Sequence, residues 1–198
     1  PDPQPEHVLP LAEHGLPLGL LFGRDELAGL RDKLRTGENK RFAAEIIAEA
    51  EANLGYRPEA FVGAYFPLYW ANQIERTSSP HERTRSWFST LVYSSLAYVL
   101  TEELKYGFAA RRALLALVRT REWCGGFLCR YMKGITGYRA TFHEAHLSQA
   151  AALCYDFIGN LLSPEERRAV EDAMFEKALP HLDLYLRMNG NGYLMNSN

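Results

Sequence analysis

No stretch of about 18 consecutive apolar residues occurs in the sequence, so no helix of it is expected to cross a membrane. Neither sign of charge dominates. Twenty-two Lys and Arg against 24 Asp and Glu leave a net charge of −2, and no long basic run is present. That removes the usual electrostatic basis for binding nucleic acid. Strand-like alternation of useful length is absent, as are a GxSxG elbow, a phosphate loop and a dinucleotide fingerprint. Cysteine is scarce, with Cys124, Cys129 and Cys154 the whole complement. The spacing of the first two fits no common zinc pattern, although they can still pair or bind metal. Cys154 lies in a helical apolar stretch and reads as a small core residue. The opening Pro1-Asp2-Pro3-Gln4-Pro5 has no signal-peptide pattern, which leaves the compartment open.

What is present suits a packed domain. Hydrophobic residues make up 47% and charged residues 23% of 198 residues. A globular chain of that size hides roughly 70% of its unfolded surface, enough for a sizeable core.

Residues 1–20 read as an extended lead-in, because Pro1, Pro3, Pro5, Pro10 and Pro17 oppose helix. Residues 21–198 read as helical. Leu27, Leu30 and Leu34 mark a first helix from about Arg24, with Gly23 as N-cap, Glu26 in the capping-box position and Gly37 as the stop. A second helix is expected over 39–53, with Phe42, Ile46, Ala50 and Leu54 as its buried stripe. The aromatic stretch 56–80 is less regular. Two clear helices follow over 86–100 and 103–119, separated by a few residues around Thr101, which favours an antiparallel hairpin. The period breaks over 123–141, where four glycines mark a long loop of the kind that often carries function. Helix returns over 142–157. Ser163, Pro164 and Glu166 then form the best helix-start signature in the chain, followed by the apolar face Val170, Ala173, Met174 and Ala178. The result is about six helices in three consecutive pairs, an all-α architecture in which each hairpin buries its face on the next.

Three segments carry a resemblance to a known family. Leu18-Gly19-Leu20-Leu21-Phe22 with Asp25-Glu26-Leu27-Ala28-Gly29-Leu30-Arg31 resembles the start of the helical domain of heparinase II/III-like polysaccharide lyases. Leu96 to Thr101 with Lys105-Tyr106 and Ala113-Leu114-Leu115, and Ala151 to Phe157 with Leu162 to Arg167, are similar to its next two characteristic segments. The resemblance implies an (α/α) toroid, here an incomplete portion of one, with β-sandwich domains in a part of the protein beyond this chain. It also implies an acidic polysaccharide as partner, cleavage by β-elimination, no cofactor, and catalytic Tyr and His from later segments. Related toroids serve glycoside hydrolases, so fold alone does not fix activity. That alternative needs a carboxylate pair in the cleft, and none stands out in the loops. A non-catalytic scaffold or carbohydrate-binding module is the other alternative.

Two stretches hold the candidate residues. In the terminal run 188–198, the resemblance implies that asparagines face the substrate. Asn191 and Asn196 are the candidate catalytic amides, which would hydrogen-bond the uronate carboxylate and ease removal of the C5 proton; Asn189 is a candidate binding residue. Gly190 and Gly192 interrupt the family's commoner Asn-Asn-His pattern, and the same run also suits a C-cap and turn. In the loop 123–143, Trp123 and Tyr138 offer faces for stacking on sugar rings, while Arg130, Lys133 and Arg139 can pair with uronate or sulfate. A solvated loop with aromatic anchors is the other reading of those residues, since scattered basic residues on loops are ordinary. His143 and His146 share a helical face, but Glu144 is misplaced for zinc-protease chemistry, so no metal is expected. His143 lines the cleft or is a buried, hydrogen-bonded histidine. Tyr155-Asp156 is expected to be structural, with Asp156 satisfying nearby donors.

Overall fold

A computed structural model describes residues 2–14, 19–58, 87–120, 123, 142–180 and 183. Among these, every regular element is helical and there is no strand, in line with the all-α reading. Helix α1 spans Leu27–Lys33 after a 3-10 turn at Arg24–Glu26, and α2 spans Gly37–Asn53. Helix α3 runs through Trp87–Ser89, a π-turn at Thr90–Ser94, and Ser95–Thr101. Helix α4 is Leu104–Arg119 and α5 is Phe142–Phe157. Helix α6, Pro164–Ala173, continues through a second π-turn at Met174–Ala178.

The ends of these helices follow from local chemistry. Gly23 has no side chain to cap α1, but its N–H donates to Glu26 Oε2 at 2.7 Å, which supplies half of the expected box. Gly37 does not simply stop α1. It has φ +60°, where only glycine is comfortable, and from there it opens α2 two residues before the expected start. Between α3 and α4, Glu102 takes the left-handed conformation at φ 57° and Thr101 Oγ1 accepts the Glu103 N–H, so the chain reverses within two residues. At α6 both arms of the capping box form: the Glu166 N–H donates to Ser163 Oγ at 3.2 Å and the Ser163 N–H to Glu166 Oε2 at 3.0 Å. Ser163→Ala is therefore expected to cost about 1 kcal/mol in chemical denaturation.

Helix α4 is the central member of the stack. Tyr106, Ala110, Ala113, Leu114 and Leu117, the face expected from its period, are all buried. Its small residues let neighbours approach closely. A Cβ on Gly107 would come within 2.4 Å of Leu161 Cδ1 and 3.0 Å of Tyr98 Cδ2, so glycine is what permits this contact. Full burial of Leu114 and Leu117 contributes about 1.5–3 kcal/mol each. Ala150 and Ala151 of α5 are equally buried, as is Val170 on the expected apolar face of α6.

The π-turn in α3 has a local cause. Ser95 Oγ donates toward the Leu91 carbonyl at 2.5 Å and lies 3.1 Å from that of Val92, competing with the backbone for those acceptors. On α2 only part of the expected stripe is inside. Ala50 is buried and Ile46 and Leu54 pack on the core, but Phe42 is 48% exposed under the Arg41 guanidinium, so the start of α2 projects beyond its neighbours.

The lead-in differs from its expectation. It contains a 3-10 turn at Pro5–His7 and a helical turn at Leu11–His14, and Leu11 is wholly buried. Proline at the first position of a helical turn costs nothing, since its missing N–H has no partner there anyway. The segment is a strap docked on the stack. The Leu9 carbonyl accepts from Asn160 Nδ2 at 2.7 Å, and Phe22 stacks on Phe157 at 5.5 Å between centroids.

Candidate functional site at one end of the stack

The two ends of the helix stack are built differently. At one end lie the tight α3–α4 reversal and the close of α5. There Asn160 Nδ2 donates to Tyr98 Oη at 2.6 Å, and Gly107 faces Leu161. At the other end the Trp87 indole N–H donates to the Ala113 carbonyl at 2.7 Å, which sets the start of α3 beside the last turns of α4. Asn53 closes α2 there, with Nδ2 donating to Ser89 Oγ at 2.8 Å and Oδ1 accepting from Thr90 Oγ1 at 3.3 Å. Lys177 reaches from α6 to the Val118 and Thr120 carbonyls at 2.6 and 2.9 Å. Its ammonium neutralises the carbonyl end of α4, where the helix dipole is negative. Because α5 closes at the reversal end, its first residues, Phe142 and His143, stand at this other end.

The consequence is topological. The chain leaves α2 and enters α3 at the same end at which it leaves α4, enters α5 and leaves α6. The connections 59–86 and 124–141 and the run 184–198 are thus all joined to the stack at one end.

Of the expected site residues, Asn189, Asn191 and Asn196 lie outside the described residues, as do Arg130, Lys133, Tyr138 and Arg139. Cys124, Cys129 and the aromatic stretch 61–70 also fall outside them. His143 is placed by its backbone as the second residue of α5, and its side chain is outside the description. Trp123 is placed fully, and it corrects the expectation of a stacking platform. Its side chain is 1% exposed, and its indole N–H donates to the Leu117 carbonyl at 3.0 Å. Both ring faces are taken by packing, so Trp123 anchors the start of the loop from inside the core.

Three polar side chains near the end of α5 have structural roles. Asp156 is fully buried, and its carboxylate accepts from the Gly19 N–H at 3.0 Å and the Leu20 N–H at 2.8 Å, as the donor-satisfying role required. It sits at the reversal end, away from the candidate end. Burial and the neighbouring Glu171 carboxylate push the Tyr155 hydroxyl up to about 12. It therefore remains a proton donor to Glu171 and is no base at neutral pH. Cys154 is buried as expected, with its thiol 3.8 Å from the Ala110 carbonyl, and burial pushes its pKa up, away from reactivity. No group of three or more His, Cys, Asp or Glu side chains suited to a metal occurs among the described residues.

Two features escape a reading of the sequence. The Lys177 cap on α4 and the cluster of Arg111, Arg112, Asp2 and Glu166 join residues 55 to 110 positions apart. Single charges on helix faces carry no signal of such partners.

Comparison with known protein families, with curated proteins and with solved structures finds no match for this sequence. The class defined by the described residues is an all-helical stack with its long connections joined at one end.

Proposed function

We propose that this chain is the helical part of a polysaccharide lyase, a portion of an (α/α) toroid that cleaves uronate-containing glycans by β-elimination. The observation that supports this reading is the convergence just described. The two segments bearing the candidate amides and the candidate aromatic and basic residues join the stack at one end, where the α5 N-terminus also lies. A helix start favours an anionic group, as a uronate carboxylate is.

In this reading Asn191 and Asn196 hydrogen-bond the uronate carboxylate and favour the enolate-like form. A general base removes the C5 proton, the electron pair forms the C4–C5 double bond, and the C4–oxygen bond breaks as an acid protonates the departing glycosidic oxygen. On the resemblance, a Tyr and a His would serve as base and acid.

The test follows the ultraviolet absorbance of unsaturated uronate ends while the full-length protein is incubated with heparin, heparan sulfate, alginate and hyaluronan. A steady rise on at least one glycan is expected. Asn191→Ala or Asn196→Ala should slow it by about 10²–10³, the usual cost of losing one such donor, with unchanged thermal unfolding. No rise on any of the four would overturn the proposal, and retained glycan binding would then point to a non-catalytic module.

A further inference from the structure

The strap is held at its start by two arginines. Arg111 NH1 donates to Asp2 Oδ1 at 3.0 Å and Arg112 NH1 to Asp2 Oδ2 at 3.3 Å, so one carboxylate bridges two guanidiniums. The rest of the Arg111 fork is engaged by Glu166, with Nε 3.3 Å from Oε2 and NH2 donating to Oε1. Glu166 is itself fixed by the α6 capping box. Arg111, only 9% exposed, is thus oriented from behind, independently of Asp2.

We propose that Arg111 and Arg112 form an oxyanion site whose occupant here is the chain's own Asp2. Its external ligand is a carboxylate or sulfate group, and binding that group releases the start of the strap. The geometry is that of a planar acceptor spanning two forked donors, which guanidinium recognises better than ammonium does. The energetics allow exchange. Asp2 and Arg112 are 31% and 33% exposed, so water reaches the contact. Ion pairs of that kind shift an equilibrium by no more than about five-fold. Without Asp2, two guanidiniums face one carboxylate, and the site carries an unbalanced positive charge. It lies along the α4–α6 flank, away from the candidate glycan end, and does not depend on the lyase proposal.

The test uses the side-chain Nε–H signals of Arg111 and Arg112, followed by NMR during separate titrations with sodium sulfate and sodium glucuronate at constant ionic strength. Asp2→Asn preserves shape and removes the competing charge. It should tighten binding by about two- to five-fold, the range set by an exposed pair, and Arg112→Gln in that background should abolish the response. Glu6→Gln, on the same strap, should change neither affinity. In the unmodified protein, sulfate should speed hydrogen exchange at the Val8 amide, whose partner is the Pro5 carbonyl at 3.2 Å. Response to one anion alone identifies which oxyanion the site accepts. Equal affinity in Asp2→Asn and the unmodified protein, or an equal gain in Glu6→Gln, overturns the proposal.

Discussion

Asp156→Ala is expected to lower the unfolding free energy by about 2–4 kcal/mol in urea denaturation. Each hydrogen bond to a charged group contributes about 1.5–3 kcal/mol. Two of those the carboxylate accepts come from the Gly19 and Leu20 N–H groups. Both donors belong to partly exposed backbone that water can reach after the change, so the full sum is not lost. Asp156→Asn falls between, because its Oδ1 replaces one acceptor while its amide group opposes the other N–H. Set against the 5–15 kcal/mol typical of a domain, the alanine effect is large. Hydrogen exchange should quicken first at residues 19 and 20. A loss under about 0.5 kcal/mol, the level of an ordinary surface substitution, would mean that the strap is held by its other ties, Leu11, Phe22 and the Asn160 and Asp2 bonds, without help from Asp156.

The second large effect is expected at Trp123. Trp123→Ala should cost about 3–5 kcal/mol, the range for removing a buried aromatic ring. Trp123→Phe should cost about 1 kcal/mol. The difference lies in the ring, since Phe refills most of the buried space that Ala leaves empty, and loss of the N–H bond costs little in either variant. The Leu117 carbonyl also takes the Thr120 N–H at 3.1 Å and the Thr120 hydroxyl at 2.7 Å, so it is not orphaned when the indole is lost. A residue that merely stacked on sugar would show the opposite pattern. Its alanine variant would keep its stability and lose glycan affinity.

Those two residues also show what a sequence of this kind reveals. Asp156 sits in a helix whose bounds, Phe142–Phe157, are the ones its pattern predicts, and its structural role is legible because a buried carboxylate must find donors. The α6 start is legible for a similar reason: Ser163, Pro164 and Glu166 act within one turn. Trp123 is ambiguous in the sequence, because an aromatic opening a glycine-rich loop looks the same whether its ring faces sugar or core. Gly37 is legible only in part, since a glycine that ends one helix can begin the next. The π-turns leave little trace, because one extra residue per turn hardly disturbs an apolar face. The strap's ties, Asp2 to Arg111 and Gly19 to Asp156, span 109 and 137 positions, and no local pattern reports them. The candidate site is less legible than the fold. Its amides and loop cations were chosen by residue type and resemblance, and what the helices add is the common end to which their segments are joined.

That common end is the central claim, and hydrogen–deuterium exchange with a saturating uronate oligosaccharide tests it directly. The account predicts slower exchange at Thr120, Trp123 and the first turn of α5, with no change at the α3–α4 reversal or at Gly19 and Leu20. Protection confined to the reversal end, or spread evenly over the stack, would contradict it.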